Sequence, residues 1–215
     1  MRSKRKYIVH SAFRGGNLVI FTKKDPTARI PFIQFFTRGD TVHTGIAISL
    51  PRTRRIVLDE ELNLDHIVSG FARTYSEFLA IEALGGINGK NTSVVLHNLS
   101  LNNIECANYN FFRVLAMSEE CAKDAKEFIY SAIGASYDYR GAINVGFVKW
   151  LRTQGWLNKF GLADNKHKYF CSELVAQTLH LHNPLLYDEL NLSKSYNLIS
   201  PQDISDKLQP YKVEV

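Results

Sequence analysis

The sequence predicts an α+β fold, a small antiparallel sheet or half-barrel packed against helices. Three observations carry that expectation. Short apolar runs of strand length, separated by turn residues, crowd the first 115 positions; segments with apolar residues at helical spacing follow from position 118 onward. The composition, 45% hydrophobic and 22% charged with 13 Gly and 6 Pro in 215 residues, is that of a globular chain large enough to bury a real core.

Taken in order, the first strand is residues 17–21 (NLVIF), launched by Gly15-Gly16. A helix is expected over 30–38, with Pro31 in its first turn and Phe32, Phe35 and Phe36 on one side, closed by Gly39-Asp40. Residues 42–50, 54–59, 77–84, 93–96 and 110–115 then read as a meander rich in Val, Ile, Leu and Phe. Residues 118–133 are the clearest helix: Ser118-Glu119-Glu120 opens it, Ala122, Ala125, Phe128, Ile129 and Ala132 recur at helical spacing, and Gly134 ends it. Two more helices are expected over 141–153 and 171–181, and Ser200-Pro201-Gln202-Asp203 starts a last one ending near residue 208.

No internal repeat or low-complexity linker divides the chain, so residues 1–215 read as a single domain with a basic amino-terminal extension over about 1–12. Charge is unevenly spread: residues 1–55 carry 12 Lys and Arg against 2 Asp and Glu, the remainder 14 against 19. Such a basic end fits contact with an anionic membrane surface or nucleic acid, although no zinc-finger, Walker or Rossmann pattern accompanies it. There is no apolar run of membrane-spanning length, and the apolar stretch near the start is broken at His10 and Arg14, unlike a signal peptide. Three cysteines, Cys106, Cys121 and Cys171, are too few for a disulfide framework and suit a reducing, cytoplasmic setting.

Cys171 falls at the start of a predicted helix, where unpaired N–H groups and the helix dipole favour a thiolate. A nucleophilic thiol needs a base, and His43 opens an otherwise apolar strand beside a polar turn, where a sheet end can hold a site. Glu82 is the only charge within the apolar run 78–84, and a carboxylate there needs a partner, a function or a solvent-facing side. Thiol, imidazole and carboxylate together make a coherent triad.

The ordered blocks Gly16-Asn17-Leu18-Val19-Ile20-Phe21, Ile33-Gln34-Phe35-Phe36-Thr37-Arg38, His43-Thr44-Gly45-Ile46, Ile81-Glu82-Ala83 with Gly85-Gly86, Tyr137-Asp138-Tyr139 with Gly141, Phe170-Cys171-Ser172-Glu173-Leu174-Val175, and Ile199-Ser200-Pro201 with Asp203 resemble a known family. It is the circularly permuted branch of the NlpC-type papain-like cysteine hydrolases, the YiiX- and YebB-like group. The resemblance implies a permuted papain-like fold with Cys171 as nucleophile, His43 as base and Glu82 as the residue that orients the imidazole. It also implies acyl transfer on a peptide-amide or lipid-acyl substrate, without a cofactor or metal. The basic amino terminus and residues 157–167 are less familiar in it.

Tyr137 and Tyr169 are candidates for a second oxyanion donor beside the Cys171 backbone N–H. Glu173, in the first turn of the same helix, reads as a capping or buried paired residue, and Tyr137, Asp138 and Tyr139 as groove lining or as a self-packed loop. Two other classes compete with the hydrolase or acyltransferase: a non-catalytic module binding anionic lipid or nucleic acid through its basic part, and a zinc site built from Cys171, His43 and His180 or His182. The second lacks paired-cysteine or His-Glu-x-x-His spacing.

Overall fold

The first apolar run forms a strand because four consecutive side chains, Leu18 to Phe21, find cover on both faces. This strand, β1 (Asn17–Lys24), is central in the sheet. A computed structural model of the protein describes residues 16–25, 40–47, 52–55, 74–85, 93–102, 108–153, 168–192 and 196–214. Along them follow β2 (Thr41–Ala47), β3 (Arg52–Arg55), β4 (Thr74–Leu84), β5 (Ser93–Asn102), β6 (Tyr109–Leu115), α1 (Glu119–Ala132), β7 (Ser136–Tyr137), α2 (Tyr139–Thr153), β8 (Lys168–Tyr169), α3 (Cys171–His182), α4 (Pro184–Glu189), α5 (Pro201–Lys207) and β9 (Lys212–Val213). The architecture is mixed α and β, as expected of an α+β chain.

The described strands join one sheet in the order β8-β7-β5-β4-β2-β1-β6-β9, with β3 also on β4. Every pairing is antiparallel except β7 with β8. Strands β2 and β3 lie one after the other along β4, with Ile46 opposite Ile81 and Arg52 opposite Glu77, so the eleven-residue β4 serves both.

This corrects the expected meander. Strand β6 does not continue from β5 but pairs with β1 through Phe112 opposite Ile20. A run as apolar as NLVIF, buried on both faces, needs a neighbour on each edge, and β2 and β6 supply them.

Other boundaries moved for local reasons. Strand β5 runs to Asn102, six residues past the expected end, because β4 pairs with it from Tyr75 to Leu84. Helix α2 begins at Tyr139 because Asp138 caps it, its Oδ1 accepting the Gly141 N–H at 3.0 Å. The unforeseen α4 is capped by Asn183, whose Oδ1 accepts the Leu186 N–H at 3.0 Å, with Pro184 in the first turn. Ser118 and Ser200 cap α1 and α5 as their sequences predict. The expected helix over 30–38, residues 48–50 and 56–59 of the expected strands, the basic extension, residues 157–167 and Cys106 lie outside the described residues.

One sheet face carries Leu18, Ile20, Ile46, Ile81, Phe112 and Val114 against α1, α3 and α5, which supply Ile129, Leu174, Leu179 and Ile204. The opposite face holds Phe21, Phe78 and Phe111 in edge-on contact, with Phe78 and Phe111 ring centroids 5.2 Å apart. Among the described residues no helix is long and apolar enough to cross a membrane.

Phe112 is fully buried and Leu115 is 63% exposed. Phe112→Ala is therefore expected to cost about 3–5 kcal/mol, and Leu115→Ala no more than about 0.5 kcal/mol. Chemical denaturation of both variants measures the difference.

Candidate active site

The aromatic face of the sheet also carries Glu82, only 3% exposed. Ala47 pairs with Ala80 and Ile46 with Ile81, which sets Gly45 across from Glu82 and places His43 on the same face, one diagonal step away. On the other side His97 pairs with Ala80, again one diagonal step from Glu82. The carboxylate is thus reached from both neighbouring strands: His43 Nε2–H donates to Oε2 and His97 Nε2–H donates to Oε1.

Gly45 makes this approach possible. A Cβ there would stand 2.6 Å from the Phe21 ring and 3.0 Å from the Glu82 Cβ, so any side chain would force the Phe21 ring or Glu82 to shift. The His-x-Gly pattern is in this sense a packing requirement as well as a sequence block.

Cys171 is the first residue of α3 and 7% exposed. The first intrahelical bond runs from the Leu174 N–H to the Phe170 carbonyl at 3.1 Å, so the N–H groups of Cys171, Ser172 and Glu173 precede it at the positive end of the helix dipole. Its side chain lies close enough to the His43 imidazole to interact with it electrostatically. With Nε2 engaged by Glu82, Nδ1 is the ring nitrogen that remains for the thiol.

The electrostatics follow from these contacts. Burial opposes a charged His43, but the thiolate of Cys171 and then the carboxylate of Glu82 outweigh it and raise its pKa to about 10. Burial likewise opposes the Glu82 anion, and the bonds from His43 and His97 more than compensate, holding its pKa at about 2.

Cys171 and His43 come from elements far apart in sequence, and the carboxy-terminal segment links them. Ser172 Oγ donates to the Ile199 carbonyl at 2.6 Å, next to Cys171. Three residues on, Gln202 Oε1 accepts the Thr41 N–H at 3.0 Å, two residues from His43. Ser200 and Asp203 close the intervening turn as a capping box, the Ser200 N–H donating to Asp203 Oδ2 at 2.7 Å.

Of the two tyrosines expected near the site, Tyr137 is within electrostatic reach of Cys171, and burial first and the thiolate charge second push its pKa well above the usual phenol value. It stays a neutral O–H donor. Tyr169, its partner in the parallel β7–β8 pair, turns its ring edge-on to Phe128 of α1 at 5.6 Å. Tyr139 packs on Tyr137 at 4.8 Å, and Asp138 is committed to capping α2, which favours the self-packed reading of that loop. Glu173 reaches back to the Phe170 N–H at 3.4 Å, the capping role expected of it.

The zinc alternative fails on distance. His180 and His182 stand nine and eleven residues along α3 from Cys171, about 14 to 17 Å at 1.5 Å per residue. His180 stacks on Tyr187 at 4.8 Å and meets the Tyr196 hydroxyl, and the His182 Nε2–H donates to the Val114 carbonyl at 3.3 Å. Among the described residues no three His, Cys, Asp or Glu side chains are gathered as metal ligands.

The sequence reading missed His97 because the expected strand ended at residue 96. The signal was there: Leu99 and Leu101 extend the alternation that begins at Val95, and that alternation carries His97 onto the same face. No protein-family model matches the chain, and no curated protein matches it.

The signs of the two shifts define a pH window. The Glu82 contribution to stability is complete above its ordinary 4.5 and is lost as pH falls through about 2, while that of His43 is complete below 6.5 and is lost as pH rises through about 10. Unfolding free energy measured against pH is expected to be insensitive to this pair between 4.5 and 6.5 and to fall on both sides, and Glu82→Gln is expected to abolish its share of the acid limb. Gly45→Ala, which forces the Phe21 ring or Glu82 to shift, is expected to destabilise by about 1–3 kcal/mol in the same assay.

Proposed function

We propose that the protein is a cysteine hydrolase or acyltransferase with a permuted papain-like fold, acting on an amide, ester or thioester of a peptide or lipid-acyl substrate. The observation that carries this reading is the hydrogen-bonded pair His43–Glu82 within electrostatic reach of Cys171, with the thiol at a helix N-terminus and the imidazole held at Nε2 by a buried carboxylate. The chain order His, Glu, Cys is also the order that the resemblance to the permuted NlpC-type branch implies.

In this mechanism the Cys171 thiolate attacks the substrate carbonyl carbon and the carbonyl π electrons move to oxygen. The Cys171 backbone N–H faces that oxyanion at the helix start, and the neutral Tyr137 hydroxyl is the second donor. Collapse of the tetrahedral intermediate breaks the bond to the leaving amine, alcohol or thiol, which takes the proton from His43. The acyl-thioester is then attacked by water or another acceptor, whose proton returns to His43 as the thiolate leaves. Glu82 stays ionised throughout and stabilises the imidazolium.

The test is direct. Cys171→Ala and Cys171→Ser are expected to fold as the parent does and to lose about 10⁴-fold or more in turnover of a responsive amide, ester or thioester. A well-folded Cys171→Ala variant with retained activity would refute the reading. In the parent, timed alkylation at mildly acidic pH followed by peptide mapping is expected to label Cys171 far faster than Cys121 or Cys106. The mass of an acyl adduct trapped on Cys171 identifies the donor.

A further inference from the structure

Glu82 has a second imidazole on it that the triad does not require. Its two oxygens are divided between strands, Oε2 to His43 on β2 and Oε1 to His97 on β5, and the carboxylate itself is buried. The terminal torsion of a Glu side chain is broad and nearly two-fold, so a carboxylate held at one oxygen is free to rotate or to exchange its oxygens. Held at both, its plane is fixed.

The backbone is arranged for this second contact. His97 pairs with Ala80, two residues from Glu82 on the same face, and the methyl group of Ala80 leaves room for the ring to lean across to Oε1. On the other flank the bare Gly45 lets Glu82 and the Phe21 ring close in on the strand that carries His43. Small residues thus stand on both diagonals that the imidazoles cross. The His97 side chain is 33% exposed, against 22% for His43, so it approaches the carboxylate from the more open side of the site.

We propose that His97 is a positioning residue: its Nε2–H holds Oε1 of Glu82, so that Oε2 alone faces His43 and the imidazole stays aligned on Cys171. It touches neither the thiol nor the reacting carbonyl and acts through Glu82. The inference deepens the cysteine-hydrolase reading and rests on it for its meaning, but its test does not require a known substrate.

The experiment is timed alkylation of Cys171 by iodoacetamide in the full chain, with Cys121 as the internal control for folding. His97→Ala is expected to slow labelling of Cys171 about ten-fold at mildly acidic pH, the scale of one lost hydrogen bond to a charged group, and to leave the Cys121 rate unchanged. His97→Gln, whose amide N–H also reaches Oε1, is expected to restore the rate to within about three-fold of the parent. In a Glu82→Ala background, adding His97→Ala is expected to change the rate less than about two-fold, because the group through which it acts is gone. A parental rate in His97→Ala, a Gln variant as slow as the Ala variant, or an undiminished His97 effect without Glu82 would each overturn the proposal. Retained turnover in Cys171→Ala would instead overturn the enzyme reading and leave these rates to decide the positioning of His43.

Discussion

A carboxylate buried in a β-sheet is stable only when hydrogen bonds replace the water it has lost, and Glu82 obtains both from imidazoles on the two flanking strands. That requirement propagates outward. It fixes the β2–β4–β5 register, because a one-residue slip of either neighbour would turn its histidine to the opposite face. It also calls for Gly45 and Ala80, since larger residues would occupy the space between the strands' side chains. The same anion, kept ionised by its partners, then supports a charged His43 against the cost of burial.

The other half of the site is delivered by a helix. Helix α3 is covered along most of its length, by α1 and by the sheet, and so acts as a rigid post with its first turn at the histidine-bearing strand. Short strand β8 leads directly into it and is pinned to β7, which sets Tyr137 close to Cys171. The segment from Ile199 to Gln202 braces the assembly, its Ile199 carbonyl bonded by Ser172 at one end and its Gln202 side chain by the Thr41 N–H at the other. Cys171 and His43, 128 positions apart in the chain, are thereby brought together by two polar contacts and one packed helix.

Local chemistry was readable wherever one residue decides one local event. Ser118 and Ser200 start helices by accepting specific N–H groups, and the sequence positions of both were enough to place them. Cys171 at a helix start and Glu82 alone in an apolar strand stood out for the same reason, each being a polar group in a setting that demands an explanation. Asp138 is an equally local cap that starts the expected helix two residues early, and Asn183 one that the pattern did not bring forward, because the six-residue helix after it is too short to show a periodicity.

The sequence by itself determined the α+β class, most helix starts, the strand-forming runs and the three residue types from which a triad can be built. Tertiary structure decided which strands are neighbours, and hence that β6 pairs with β1 rather than continuing a meander from β5. It decided as well that Glu82 faces two histidines and not water, and that His97 belongs with His43, fifty-four positions away. The physical reason is that caps and periodicity depend on atoms within a turn or two of each other, whereas strand order and the burial of a carboxylate depend on contacts between segments whose closeness no local pattern encodes.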